Sequence, residues 1–193
     1  MKTGFPEVDD IIAYDAITEF FSLDYNLLFS FYHKVIVEST PIDLLLVGER
    51  GGLNPYSLTQ LARVLGISNI DDKIFVRRAF KVEDVPASIS SFKGELIIVD
   101  PYHHGKFIDE IAASIKERGS RTLIFSFGNR LNYKSTFGWH VASSILELKE
   151  TKGGFKVRLI KSPAFPEFEL KYPVGALYCD EKTGLGPWLT LGL

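Results

Sequence analysis

The residues Ile17-Thr18-Glu19-Phe20-Phe21 read as a short buried strand, and only Ser22-Leu23-Asp24 separate them from a helical stretch, Tyr25 to Glu38. That stretch is apolar almost all round, through Leu27, Leu28, Phe29, Phe31, Tyr32, Val35, Ile36 and Val37. A helix without a polar stripe is buried on most faces, so a sheet must carry it and a neighbour must cover it. A buried strand that runs straight into a buried helix constrains the chain to an α/β architecture.

The rest of the pattern agrees. Ile42 to Val47 is apolar but for Asp43, as expected of a parallel strand covered on both faces. Asn54-Pro55 opens a helix to about Leu65, which Gly66 stops. Lys73 to Arg77 reads as a strand, Val82 to Phe92 as a short helix interrupted by Pro86, and Glu95 to Val99 as a buried strand ending at Asp100. Phe107 to Arg118 is a helix with Ile108, Ile111, Ala112 and Ile115 on its apolar side, and Arg121 to Phe127 is the next strand. His140 to Lys149 and Phe155 to Lys161 form a β-hairpin turned at Lys152-Gly153-Gly154, with Glu167 to Lys171 as a short edge strand. Alternating strands and helices followed by a hairpin predict a mostly parallel sheet with helices on both faces and an antiparallel C-terminal extension. Sites in such sheets form at the carboxyl ends of the strands, here Ser22, Gly48-Glu49-Arg50, Asp100 and Phe127-Gly128-Asn129.

Composition narrows the function classes. The 193 residues suit a single core domain spanning 1–193. A net charge of −2 excludes a nucleic-acid polycation, so any such binding needs a local basic patch. The one cysteine, Cys179, excludes an intrachain disulfide framework and leans towards a reducing, cytoplasmic compartment. No signal peptide follows Lys2, and the apolar runs are strand length, so no membrane association is expected.

Six segments in order carry a family resemblance. They are Thr3-Gly4-Phe5-Pro6-Glu7-Val8-Asp9-Asp10-Ile11-Ile12, Ile17 to Phe21, Leu53-Asn54-Pro55-Tyr56-Ser57-Leu58, Ile74-Phe75-Val76-Arg77-Arg78-Ala79-Phe80, Leu96-Ile97-Ile98-Val99-Asp100, and Arg158 to Glu167. They are similar to the TGxxxLDxLLGGG opening, ITEFF strand, FRPERL helix start, IYVARAF strand, LLIVDS strand and ARLIDSPHLPEG hairpin end of the RecA-fold recombinases. The chain thus resembles the core domain of archaeal RadA and its paralogs. The resemblance implies a RecA-like, P-loop NTPase-type fold, here without the N-terminal helical domain of RadA.

The departures from the family pattern bear on function. Phosphate binding needs backbone N–H groups from a glycine-rich loop, a lysine, and a hydroxyl on Mg²⁺. Aligned on Phe20-Phe21, the lysine position holds Leu28 and the hydroxyl position Phe29, and Gly105-Lys106 is followed by Phe107. The family's catalytic glutamate falls near Arg50, with Glu49 beside it; the Walker-B-type aspartate is retained as Asp100; the γ-phosphate-sensing pair falls at Phe127-Gly128. Ser22, Asp24, Leu28, Phe29, Glu49, Arg50 and Asp100 then mark a degenerate nucleotide site, filled by Tyr25, Leu28 and Phe29. No ATP hydrolysis, no cofactor and no metal are expected.

Adjacent His103 and His104 lack further ligands in a metal pattern and read as a polar loop or a DNA contact. His33, on an apolar helix, reads as a core or interface histidine. Ser126 and Cys179 lack a nucleophile context. The loop after Phe127 corresponds to the family's second DNA-binding loop, where Arg130, Tyr133 and Lys134 offer phosphate contact and stacking. Lys156 and Arg158 share one face of the hairpin, within a group that includes Lys149, Lys152 and Lys161. Its simpler reading is a solvated hairpin. In the family a short aromatic-x-x-Ala peptide docks between the helix spanning Ser57 to Leu65 and the strand Ile74 to Arg77; Phe75 and Arg77 alter that pocket, so a RadA-like filament is not expected.

The leading expectation is a non-catalytic RadA paralog, an accessory factor in recombinational repair. Its partners would be a RadA-type recombinase or another paralog, and single-stranded DNA. The alternative is a degenerate KaiC-like regulatory module without a DNA role. A third reading is a new enzyme around Glu49, Asp100 and His103.

Overall fold

The computed structural model describes residues 1–48, 51–102, 106–128 and 140–178. The elements run α1 (Pro6–Tyr14), β1 (Ile17–Ser22), α2 (Tyr25–Glu38), β2 (Ile42–Val47), α3 (Pro55–Val64), β3 (Ile74–Ala79), α4 (Asp84–Ser91) and β4 (Leu96–Val99). They continue with α5 (Ile108–Glu117), β5 (Thr122–Phe127), β6 (Ser144–Thr151), β7 (Gly154–Lys161) and β8 (Phe168–Pro173). Among the described residues the eight strands form one sheet in the order β3-β2-β4-β5-β1-β6-β7-β8. Strands β3 to β6 are parallel in that order, and β7 and β8 are antiparallel. The fold is the expected α/β sheet with helices on both faces.

Two apolar layers hold it. Phe20, Leu44, Leu46, Ile97, Val99, Leu123 and Phe125 face α1, α2 and α3, whereas Leu45, Val47, Leu96, Ile98 and Ile124 face α4 and α5. This two-sided burial explains the apolar runs Leu44 to Val47 in β2, Leu96 to Val99 in β4 and Leu123 to Phe125 in β5. Pro86 sits in the first turn of α4, where a missing N–H costs no helical bond.

The hairpin differs in detail from expectation. Its first strand pairs parallel with β1 and begins at Ser144, not His140, because residues 140–141 are helical and pairing opens only with Ser143 N–H donating to Ile17 O at 2.8 Å. Gly154 belongs to β7, where a Cβ would lie 2.1 Å from Tyr172 O. Helix α1 is an element beyond those the sequence pattern predicts. Its Val8, Ile11 and Ile12, with Phe5 before it, pack against α2 and the antiparallel strands. Phe5 stacks on Phe31 with centroids 5.7 Å apart and meets Tyr172 at 4.6 Å.

Candidate functional site at the β1–α2 junction

Strand β1 passes to α2 through Leu23 and Asp24 alone. Ser22 is buried; its Oγ donates to Leu148 O at 2.8 Å and accepts from Asp24 N–H at 3.0 Å. Asp24 is extended and its carboxylate accepts from Leu27 N–H at 3.0 Å, so it is the N-cap of α2. A helix N-terminus attracts anions through its unpaired N–H groups and its dipole. Here a carboxylate from the chain itself takes that place, and its charge opposes a phosphate.

Beside the cap lies an aromatic stack. The Tyr25 ring packs on Phe127 at 4.9 Å and on Phe29 at 5.7 Å. Phe29 meets Tyr32 at 5.3 Å and His33 at 4.1 Å. Leu28 is fully buried in the same apolar cluster as Phe127, and Tyr25, Phe29 and Phe127 form the stack itself. The residues at Tyr25, Phe29, Tyr32 and His33 follow the helical period. Phe127 joins them only because β5 pairs with β1.

The segment after β2 is laid over this stack. A Cβ on Gly52 would sit 3.6 Å from Phe29 Cε2 and 4.0 Å from Tyr25 Oη. Tyr32 Oη donates to Gly52 O, and Arg78 donates to Gly48 O at 3.3 Å and Gly51 O at 3.4 Å. Asn54 N–H donates to His33 Nε2 at 3.0 Å, which leaves Nδ1 to carry the proton donated to Phe29 O at 2.7 Å. Burial pushes the His33 pKa down to about 4, against the opposing bond to Phe29. Burial also raises the Tyr32 phenol well above its usual range, with the nearby Tyr25 adding to the shift.

Asp100, at the end of β4, is buried and left-handed, with φ 56°, a region Asp tolerates better than most residues. Its N–H donates to Phe125 O at 2.7 Å. Glu49, Arg50, His103, His104, Arg130, Tyr133, Lys134 and Cys179 lie outside the described residues. On the hairpin, Lys156 pairs with Glu169 of β8 at 2.7 Å, and Arg158 with Glu167, just before β8, at 3.6 Å. Lys161 donates to Ala142 O at 2.7 Å. No cluster of three or more metal-ligating side chains occurs among the described residues.

No protein-family profile matches the chain, and no curated protein does. Among solved structures, the RadB recombinase superimposes with a TM-score of 0.63, over 84% of this chain and 89% of that one, at 14% identity. The fold is RecA-like. In this RecA-like core, the β1–α2 junction, the β2–α3 segment and Asp100 meet at the carboxyl edge of the parallel strands, where α/β sheets place their sites. No helix among the described residues is long and apolar enough to cross a membrane.

Proposed function

We propose that this chain is a non-catalytic RadA/RecA-like paralog, an accessory or regulatory factor in DNA recombination and repair. It works through protein partners, a RadA-type recombinase or another paralog, and through single-stranded DNA. The observation that carries the reading is the capped junction. The Asp24 carboxylate occupies the first turn of α2, and Tyr25, Phe29 and Phe127 stack beside it. A nucleotide phosphate placed there would meet like charge and ring faces in place of N–H donors. The overlap with a recombinase supports the process; the chemistry of the junction supports loss of ATP turnover.

A second reading, a KaiC-like regulatory module without DNA contact, is favoured by the pairing of Lys156 and Arg158 with Glu169 and Glu167. The two separate by titration of the protein with a labelled single-stranded oligonucleotide at low and moderate salt, without nucleotide. Saturable binding that weakens steeply with salt supports the accessory reading. Binding that is absent at low salt leaves the regulatory module.

A further inference from the structure

The turn from β3 into α4 exposes an aromatic ring among cations. Phe80 is 74% exposed, the highest value among the large apolar side chains described. The Arg78 guanidinium lies over the Phe80 ring, 5.9 Å from its centroid, and is held there by its bonds to Gly48 O and Gly51 O. Arg77 is braced by Ser91 Oγ and by the Phe92 ring at 4.9 Å. Lys81 is exposed, and these residues line an open depression of about 530 Å³ together with Asp84, Ala87 and Ser88.

We propose that this corner binds single-stranded nucleic acid, one base stacking on Phe80 while neighbouring phosphates meet Arg77, Arg78 and Lys81. The inference rests on the DNA-contact reading above and assigns it a surface. Single strands are held by cations that track the backbone and by aromatic faces that take the bases. Three cations within five residues are a local excess in a chain of net charge −2. The exposed Phe80 ring has the Arg78 guanidinium on one side and leaves its remaining surface open to a base. Ala87 and Ser88 are small and leave room beside the ring. Asp84 lines the same depression and Glu83 flanks it; these carboxylates turn phosphates towards the arginine side and accept from exocyclic amino groups.

Placement agrees. The corner stands at the carboxyl end of β3, three strands from β5 in the sheet. At about 4.8 Å per strand that is roughly 14 Å, a span a few nucleotides cover. A strand laid along this edge would run from Phe80 to the turn at Gly128.

The test is anisotropy of a short labelled single-stranded oligonucleotide with wild-type protein, Phe80→Ala, Lys81→Gln and, for comparison, Lys156→Gln/Arg158→Gln. Phe80→Ala is expected to weaken binding about 5- to 100-fold, the value of one stacked base. Lys81→Gln is expected to lower the salt slope by about 0.7. Circular dichroism and melting should stay at wild-type values, because both side chains are exposed. Wild-type binding that both corner variants retain overturns this inference and leaves the DNA-contact reading standing. No wild-type binding sinks both. Capture of a glutamate-rich peptide in place of DNA, lost in Phe80→Ala, makes the corner a protein interface and overturns the proposal.

Discussion

His33 Nε2 accepts the Asn54 N–H at 3.0 Å, and this bond ties the start of α3 to the middle of α2. It requires a neutral imidazole. With a folded pKa of about 4 against about 6.5 unfolded, the unfolded chain takes up the proton first as pH falls. Stability from this residue is therefore complete above about pH 6.5 and is lost as pH drops towards 4. The loss between about pH 7 and about pH 5 is on the order of 2 kcal/mol. Urea unfolding across that range should show the slope in the wild type and a flatter profile in His33→Gln, which is less stable than the wild type at pH 7 and closes the gap as pH falls.

The stack at the junction should behave as a coupled pair. Phe127 is buried and Tyr25 half-exposed, with their rings 4.9 Å apart. Phe127→Ala is expected to cost about 3–5 kcal/mol. A double-mutant cycle with Tyr25→Ala should return a coupling of about 0.5–1.5 kcal/mol, read from denaturant melts. Additive losses would mean the rings touch without supporting each other.

How much of this was legible in the sequence differs by element. The runs Leu44 to Val47 and Leu96 to Val99 announce buried parallel strands because both of their faces are covered. The end of β8 was not visible: the strand runs to Pro173, beyond Lys171, because alternate exposed residues give an edge strand no sharp limit. At the site, the aromatic stripe of α2 is readable from spacing, whereas the Asp24 cap shows only in the structure. Phe127 joins that stripe only through the β5–β1 pairing, which no local pattern announces. Phe80 carried no signal either, because its exposure arises only where β3 forms the sheet edge.

Arg118 closes the end of α4. Its guanidinium donates to Ile89 O at 2.9 Å, Phe92 O at 2.8 Å and Gly94 O, gathering carbonyls of the helix end and the following turn, where Ile89 O also takes the Phe92 N–H and Gly94 O the Ser120 hydroxyl. Lysine cannot form that fan. Arg118→Lys is expected to cost about 2 kcal/mol, with hydrogen exchange accelerating first in residues 89–94. Uniform exchange would contradict the capping role.

Gly4 marks a close approach. With φ +78°, a Cβ there would lie 2.6 Å from Glu38 Oε1 and 2.9 Å from Lys34 Cε. Lys34 is buried, and its Nζ pairs with Glu38 at 3.2 Å. Gly4→Ala should both strain the backbone and displace that buried pair, at about 2–4 kcal/mol in thermal unfolding. A melting temperature equal to the wild type would show that the pair moves aside freely.

The β1–α2 junction holds a carboxylate cap and an aromatic stack, and the function proposed above requires that it bind no nucleotide. Calorimetric titration of the whole chain with ATP and Mg²⁺ tests it most directly. The account predicts no saturable heat at millimolar nucleotide, in the wild type and in Asp24→Asn alike. Saturable binding that weakens on Asp100→Asn would contradict it.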